Sequence, residues 1–339
     1  MKSLQPKVAI VILNYNTRAL LERFLPSVLA TDYSNKEVWV VDNQSSDDSA
    51  KFVYEHFNEV KLLETGANLG YAGGYNWALD RIEADYYVLL NSDVRVPANW
   101  LSPLVELAIS DIRIGAIQPK IKDAVQTEMF EYAGASGGFL DKWGYPFCRG
   151  RIFDNLEKDS GQYDEVLDVF WATGACMFVK AEAYHKSGGL DTDFFAHMEE
   201  IDLCWRMHKM GYGVKVQPRS EVYHIGGGTL EEGSDRKYFL NFRNNLTLIA
   251  KNHPSRFWIF ILLWRMVLDG VSAVKFVLEG KASVFVTIIK AHFAFWGNLG
   301  STLKKRRQVS QLGGNKAKLY GKSIVWQCFV KGKKVFSDL

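Results

Sequence analysis

The chain predicts an α/β fold: a mixed, mostly parallel sheet flanked by helices, with a C-terminal helical extension. Three observations predict it. Strand-like runs at Val8–Leu13, Glu37–Val41, Val60–Leu63 and Tyr86–Leu90 alternate with helical patterns, which demands right-handed crossovers between parallel strands. Tyr86-Tyr87-Val88-Leu89-Leu90 is continuously apolar, β-branched and aromatic, as in a strand covered on both faces. That run stops at Asn91-Ser92-Asp93, so a carboxylate sits just past a strand's carboxyl end. Open α/β sheets bind ligands along that edge. A turn or cap role for Asp93 is the bland alternative.

At 339 residues the chain has room for one large α/β domain with additions, or for two domains. Hydrophobic residues make up 47% and charged residues 23%, a globular balance that excludes a disordered chain. A net charge of +3 without a basic–aromatic repeat leaves no footprint for nucleic acid. Cys148, Cys176, Cys204 and Cys328 form no CxxC pair, so buried, reduced thiols are expected. Met1–Lys7 is polar and leads straight into the first strand, and no signal peptide is expected.

Each element has a local reason. Thr17, after Asn14-Tyr15-Asn16, is placed to cap a helix over 18–30. Past Asp42-Asn43, the stretch Ser46-Asp47-Asp48 supplies a cap and an acidic first turn for the next helix. The glycine-rich stretch 68–76 leads into a helix reaching Arg81. It is not a dinucleotide fingerprint, which needs GxGxxG directly after the first strand, where this chain has Asn-Tyr-Asn. A helix from Leu101 and a strand Ile114–Gln118 follow the central strand. Residues 123–161 mix glycine, aromatics and charge without a period, so an irregular binding insertion is expected. Val166–Trp171, strand Cys176–Lys180, a short helix, Gly188-Gly189 and strands Gly213–Gln217 and Val222–His224 complete the sheet region.

Glu199, Glu200 and Asp202 crowd the start of a helix, where the macrodipole favours carboxylates without any catalysis. Asp202 and Arg206, four apart, read as a helical salt bridge, and Ile201, Cys204 and Trp205 read as core. His224, beside Gly226-Gly227-Gly228-Thr229, reads equally as a structural hydrogen-bonding residue or as a metal or phosphate contact.

Four blocks in this order resemble glycosyltransferase family 2, the inverting GT-A enzymes, and most closely its bacterial rhamnosyltransferase-like branch. They are Val11 to Asn16, Val41-Asp42-Asn43 with Ser45-Ser46-Asp47, Asn68 to Asn76 running on to Asp93, and Gly188-Gly189 to Arg206. The likeness spans about residues 7 to 245. It implies a GT-A fold with a Rossmann-like nucleotide-binding half, in which Asn14, Asn16 and Asp42 lie at the base and ribose of a nucleotide. Asn68, Gly70, Asn76 and Asn91 would lie near the nucleotide sugar. Asp93 matches the last acid of the family's DxD motif, which holds Mg²⁺ or Mn²⁺ against the diphosphate, and His224 would add a ligand. The family's acidic pair maps to Glu199 and Glu200, with Glu200 as general base and Glu199 supporting it. Two departures stand out. Asn91 replaces the first acid of DxD, and Glu200 stands where Asp is usual, one methylene longer.

The resemblance implies transfer of a sugar from a UDP- or dTDP-sugar, dTDP-rhamnose by its nearest branch, to a hydroxyl of a lipid-linked or surface glycan. An ordinary Glu is ionised at neutral pH, so Glu200 is expected to start as a base with no large shift. The alternatives are a non-catalytic membrane-associated scaffold keeping the fold, and a sugar-nucleotide pyrophosphorylase, which would carry glycines after the first strand. The expected division is a catalytic domain over 1–250, a helical extension over 251–310 and a tail over 311–339. Phe257–Leu268 is apolar nearly all round, yet Asp269 and the lysines at 275, 281 and 290 leave runs too short to span a bilayer. Tryptophans and the cluster Lys304-Lys305-Arg306-Arg307 predict helices lying on an anionic membrane, at its cytoplasmic face. Core helices or a homodimer interface are the competing uses.

Overall fold

The computed structural model describes residues 5–226, 234–314 and 317–339. Strands β1 (Val8–Asn14), β2 (Lys36–Asp42), β3 (Lys61–Glu64) and β4 (Tyr86–Leu90) are parallel. Helices α1 (Arg18–Leu29), α2 (Ser49–His56) and α3 (Gly70–Leu79) cross between them. After β4 come β5 (Val94–Arg95), α4 (Leu101–Ser110) and β6 (Ile114–Asp123). An insertion holds β7 (Gly138–Leu140), β8 (Pro146–Cys148), β9 (Arg151–Ile152) and β10 (Asn155–Leu156). Then follow β11 (Leu167–Asp168), β12 (Cys176–Lys180), α5 (Ala181–Lys186), α6 (Glu199–Lys209) and β13 (Gly213–His224). Four helices end the chain: α7 (Asp235–Asn252), α8 (Trp258–Leu278), α9 (Ala282–Gly297) and α10 (Leu299–Ser310).

The large sheet runs β11-β13-β6-β12-β4-β1-β2-β3, with β5 on β13. β12 lies antiparallel between β4 and β6, while β13 and β6 are parallel, so the sheet is mixed as expected. All five residues of β4 are buried, because core clusters cover both faces of the sheet at this strand. The ends of β1 and β4 and the start of β12 therefore open at one edge, where Asn91 N donates to Ala175 O.

Four local expectations are corrected. Residues 138–156 form a four-stranded antiparallel sheet whose strands are two or three residues long, too short to show a period. Residues 213–224 form one strand, broken in register between Gln217 and Glu221 around Pro218, which lacks an N–H for the ladder. The Thr17 hydroxyl caps nothing: it donates to Asn14 Oδ1 and to Ser92 Oγ, 3.0 Å away. Asp47 serves two helices, taking Arg18 N of α1 at 2.9 Å and Ser49 N of α2 at 3.2 Å.

Helix α8 is amphipathic the wrong way round. Arg265 and Asp269, which interrupt its apolar sequence, are buried and paired at 2.8 Å, with Arg265 over the Tyr145 ring and His292 3.2 Å from Asp269. Its outer face carries Phe260, Leu263, Val267, Val271, Val274 and Leu278, between 45% and 83% exposed. No single described helix is long and apolar enough to cross a membrane; α9 and α10 together pass by length and composition but are bent by 62°. The tail is stitched to the insertion: Tyr320 N donates to Leu140 O, and Ile324 N to Asp141 Oδ2. The four cysteines are free and buried.

Candidate active site

The loops after β1, β2 and β4 and the start of α3 form one hydrogen-bonded rim. Asn14 and Asp42 lie under it, at 0% and 3% exposure. Asn14 Nδ2 donates to Asp42 Oδ1 and to Ser45 Oγ, both at 2.9 Å, and Asp42 Oδ2 accepts from Ser45 N at 2.9 Å. Exposed Asn16, at φ 54°, accepts from Ser46 N and so joins the two loops. Asn43 takes Leu69 N at 2.9 Å and donates to Asn68 Oδ1 and Gly70 O, both at 3.2 Å, and Asn68 Oδ1 in turn accepts from Gly70 N. Gly70 needs its φ of +70°, and a Cβ there would meet the Phe195 ring at 2.8 Å.

On the other side of the crevice, three non-glycine residues in a span of four take left-handed backbone: Phe195, His197 and Met198, at φ 64°, 67° and 73°. Each costs on the order of 1 kcal/mol or more, and such strain collects at functional sites. Helix α7 holds it in place. Asn244 Nδ2 donates to Phe194 O, Ala196 O and His197 O at 2.8 to 2.9 Å, and Arg243 Nη2 donates to Asp193 O at 2.9 Å. An ion network backs the loop: Lys251 joins Asp191 and buried Asp202, Arg206 pairs with Asp202, and Lys305 of α10 reaches Asp191 and Asp193.

What this scaffold presents is a pair of neighbouring acids, each with one carboxylate oxygen left without a partner. Glu199 is buried, Glu200 is half-buried, and the Oε2 atom of each is shut off from solvent without a hydrogen-bond partner; His197 Nε2 is orphaned beside them. Buried polar atoms are rarely left so, and the cost is one a bound ligand would remove. Burial raises the Glu200 carboxyl to about 7 against the pull of backbone N–H groups. Burial and then the Glu200 charge push Glu199 well above the carboxylate range. The expectation of an unshifted Glu200 is therefore corrected: desolvation decides its protonation. Burial likewise lowers His197 to about 4, so its ring is neutral at pH 7.

A third cluster links the central strand to the insertion. His224 Nε2 lies 3.0 Å from Asp93 Oδ1, and Nδ1 lies 3.2 Å from Glu131 Oε1, with all three residues buried. Burial lowers the imidazole, but the hydrogen bonds to Asp93 and Glu131 outweigh it and hold His224 at about 10. Asn91 Nδ2 stands 3.5 Å from His224 Nε2. The Cys148 thiol, raised by burial, feels both Glu131 and Glu200, which ties this cluster to the acid pair.

Residues 9–151 match the family model described as Glycosyl transferase family 2. Over that stretch the chain is similar to the family 2 glycosyltransferases. It is similar, at 25% identity over 76% of its length and 88% of the relative's, to an N-acetylglucosaminyl-diphospho-decaprenol L-rhamnosyltransferase of Mycobacterium tuberculosis. A poly-beta-1,6-N-acetyl-D-glucosamine synthase of Staphylococcus aureus is 25% identical over 64% of the chain and 49% of its own length. The fold is shared with S. aureus TarS 1-349 in complex with UDP-GlcNAc, at TM-score 0.56, 15% identity, and 91% and 84% coverage. It is shared too with a Pyrobaculum calidifontis mannosyltransferase in complex with GDP-Man and Mn²⁺, at TM-score 0.52, 16% identity, and 91% and 86% coverage. The mixed sheet with its flanking helices is thus a GT-A architecture.

Among the described residues, no three His, Cys, Asp or Glu side chains form a ready metal cage. The donor set still fits a cation that takes most ligands from phosphate and water, as Mg²⁺ does. Asp93 would offer an oxygen. His224, held protonated between Asp93 and Glu131, would offer Nε2 only by giving up that ring proton when the cation binds, with Glu131 left on the far nitrogen, where metal-ligating histidines place a carboxylate.

Asn76 does not reach the crevice. Its Oδ1 accepts from Tyr184 OH and Leu190 N, its Nδ2 donates to Leu190 O, and it pins the turn before the acid pair. The expectation that it lies near the nucleotide sugar thus meets a side chain already engaged by Tyr184 and Leu190. Of the glycines after His224, residues 227–229 lie outside the described residues. Nothing in the residue pattern singles out Glu131, Asn244 or Arg243, which come from distant segments: Glu131 is found through its contact with His224, and Asn244 and Arg243 through the strained loop they hold. The basic cluster is partly spent inside, since Lys305 binds Asp191 and Asp193 and Arg306 donates to Ala250 O and His253 O at 2.8 Å.

Proposed function

We propose that the protein is an inverting, metal-assisted glycosyltransferase that moves a sugar from a nucleoside-diphosphate donor to a hydroxyl of a lipid-linked or surface glycan. One observation carries this reading: two neighbouring acids, each with one carboxylate oxygen shut off from solvent without a partner, on a strained and clamped loop. Glu200 accepts the acceptor hydroxyl's proton as the oxygen attacks the anomeric carbon. Glu199, kept protonated by burial, positions and donates a hydrogen bond. Asp93 and His224, with Asn91 beside them, would hold Mg²⁺ or Mn²⁺, which offsets the charge on the departing diphosphate. Asn16, Asn68 and Gly70 contact the donor along the rim, and Asn14 and Asp42 stiffen that rim from below and meet the nucleoside through it.

The name of the Mycobacterium tuberculosis relative supports a dTDP-rhamnose donor and a diphospholipid acceptor; the TarS complex supports a UDP-sugar. A transfer assay with a panel of UDP- and dTDP-sugars and alkyl-diphosphate glycosides tests the reading. We expect turnover with one base class in the presence of Mn²⁺. Binding of nucleotide sugars without turnover or donor hydrolysis under any condition would favour the non-catalytic scaffold.

The same reading divides the chain into a catalytic unit over 1–250, a helical extension over 251–310 and a tail over 311–339. Its place is the cytoplasmic face of an anionic membrane. Two facts support docking by the extension and tail. α8 buries Arg265 and Asp269 and exposes its apolar stripe, which suits apolar surroundings. Residues 251–339 carry sixteen Lys and Arg against three Asp and Glu, whereas residues 1–250 carry 25 against 35. We expect co-sedimentation with phosphatidylglycerol vesicles that weakens at high salt and is reduced by Val267→Glu with Val271→Glu. Unbound protein that runs as a dimer in sedimentation equilibrium would assign the stripe to a second copy instead.

A further inference from the structure

Helix α7 meets the loop and helix of the acid pair with one polar face. Asn244, Lys251 and Asn252 stand about two helical turns apart and so share a stripe. All three are buried, at 1%, 3% and 0% exposure. At one end of the stripe the Asn244 amide is wholly engaged: Nδ2 reaches Phe194 O at 2.9 Å and Ala196 O and His197 O at 2.8 Å. Its Oδ1 accepts from Arg243 Nε at 2.9 Å and Nη2 at 2.7 Å. At the other end, Asn252 Nδ2 donates to Asp202 Oδ1 at 2.7 Å and Lys251 Nζ to Asp202 Oδ2 at 2.9 Å. Glu199 and Glu200 lie between these two holds, after left-handed Met198 and before Asp202. The next residue on α7, Asn245, serves other segments: Nδ2 donates to Gly144 O at 2.6 Å and Oδ1 accepts from Arg265 of α8.

A helix needs no amide to bury a face, since apolar side chains fill such a seam without the cost of desolvating polar groups. What calls for the amide at 244 is the loop. Phe195, His197 and Met198 take left-handed backbone with no glycine to relieve it, and one donor group on a rigid helix gathers the carbonyls of three loop residues. Strain held by a buried clamp immediately before two acids serves the aim of those acids. With both polar atoms of Asn244 taken behind the loop, its effect on the reaction passes through the loop.

We infer that Asn244 is a positioning residue of the reaction: by fixing three carbonyls of the strained loop it sets the direction in which Glu200 meets the acceptor hydroxyl. The inference rests on the base assignment above. Asn244→Ala in the full chain should lower kcat by about 10- to 100-fold and leave donor KM within about twofold, because a misaimed base costs turnover and not donor binding. In the Glu200→Gln background the same substitution should cost less than about a further threefold, since the base it aims is already gone. Asn245→Ala removes a buried amide of the same helix from contacts away from the loop; it should lower the melting temperature and keep kcat within about twofold of the wild type. Thermal melts check that each variant is folded; should Asn244→Ala not fold, Asn244→Ser, a shorter side chain with one donor, carries the comparison. Wild-type kcat in the folded Asn244 variant, an equal loss in both backgrounds, or a matching loss of kcat in Asn245→Ala overturns the assignment and leaves the stripe a packing seam. Undiminished turnover by Glu200→Gln alone sinks the base assignment instead, which keeps the two failures apart.

Discussion

Glu200→Gln lowers turnover by about 10²- to 10⁴-fold while leaving donor KM close to the wild-type value, because it keeps the side chain's shape and removes only its basicity. The wild type should show kcat/KM rising with pH through about 7, where the buried carboxyl loses its proton, and the variant should show no such limb. The same burial makes a second, opposite forecast about stability. Glu200 is raised from 4.5 to about 7 in the fold, so between those values the folded chain holds a proton that the unfolded chain has released. Stability therefore falls as pH rises through that window, and the penalty is complete above it. Glutamine has no such penalty. Melting curves should place Glu200→Gln above the wild type at pH 8 and level with it near pH 4.5. A variant that keeps wild-type turnover would move the base assignment to Glu199.

Asp93→Ala should remove at least about 10²- to 10³-fold of transfer, since one substitution takes away both the carboxylate facing the diphosphate and the partner of His224. Mn²⁺ binding in the presence of UDP, followed by electron paramagnetic resonance, should be lost in parallel, and excess EDTA should reproduce the defect in the wild type. Undiminished transfer in EDTA would remove the metal from the mechanism and leave Asp93 as the counter-ion of His224. His224→Ala separates the roles further: losing one ligand weakens Mn²⁺ binding, whereas losing a mere structural ion pair lowers only the melting temperature.

The alternation of strands and helices, the buried run at Tyr86–Leu90 and the acid after it were legible in the sequence because they depend on local periodicity and on where a strand must stop. So were the burial of Ile201, Cys204 and Trp205 and the Asp202–Arg206 pair, which one helix's geometry dictates. Three matters were decided only by tertiary structure. Asn76, read from its glycine-rich neighbourhood as a donor contact, turned to a chain segment more than a hundred residues away, because its amide there meets three partners at once. Lys305 and Arg306, read as surface charge, went to carboxylates and carbonyls brought up by the packing of α10 on α7. Glu200 acquired its shifted proton from desolvation, which no residue pattern encodes: a carboxyl's protonation depends on what water can reach, and that is known only once Asn244 has bound the strained loop and α6 is packed in place.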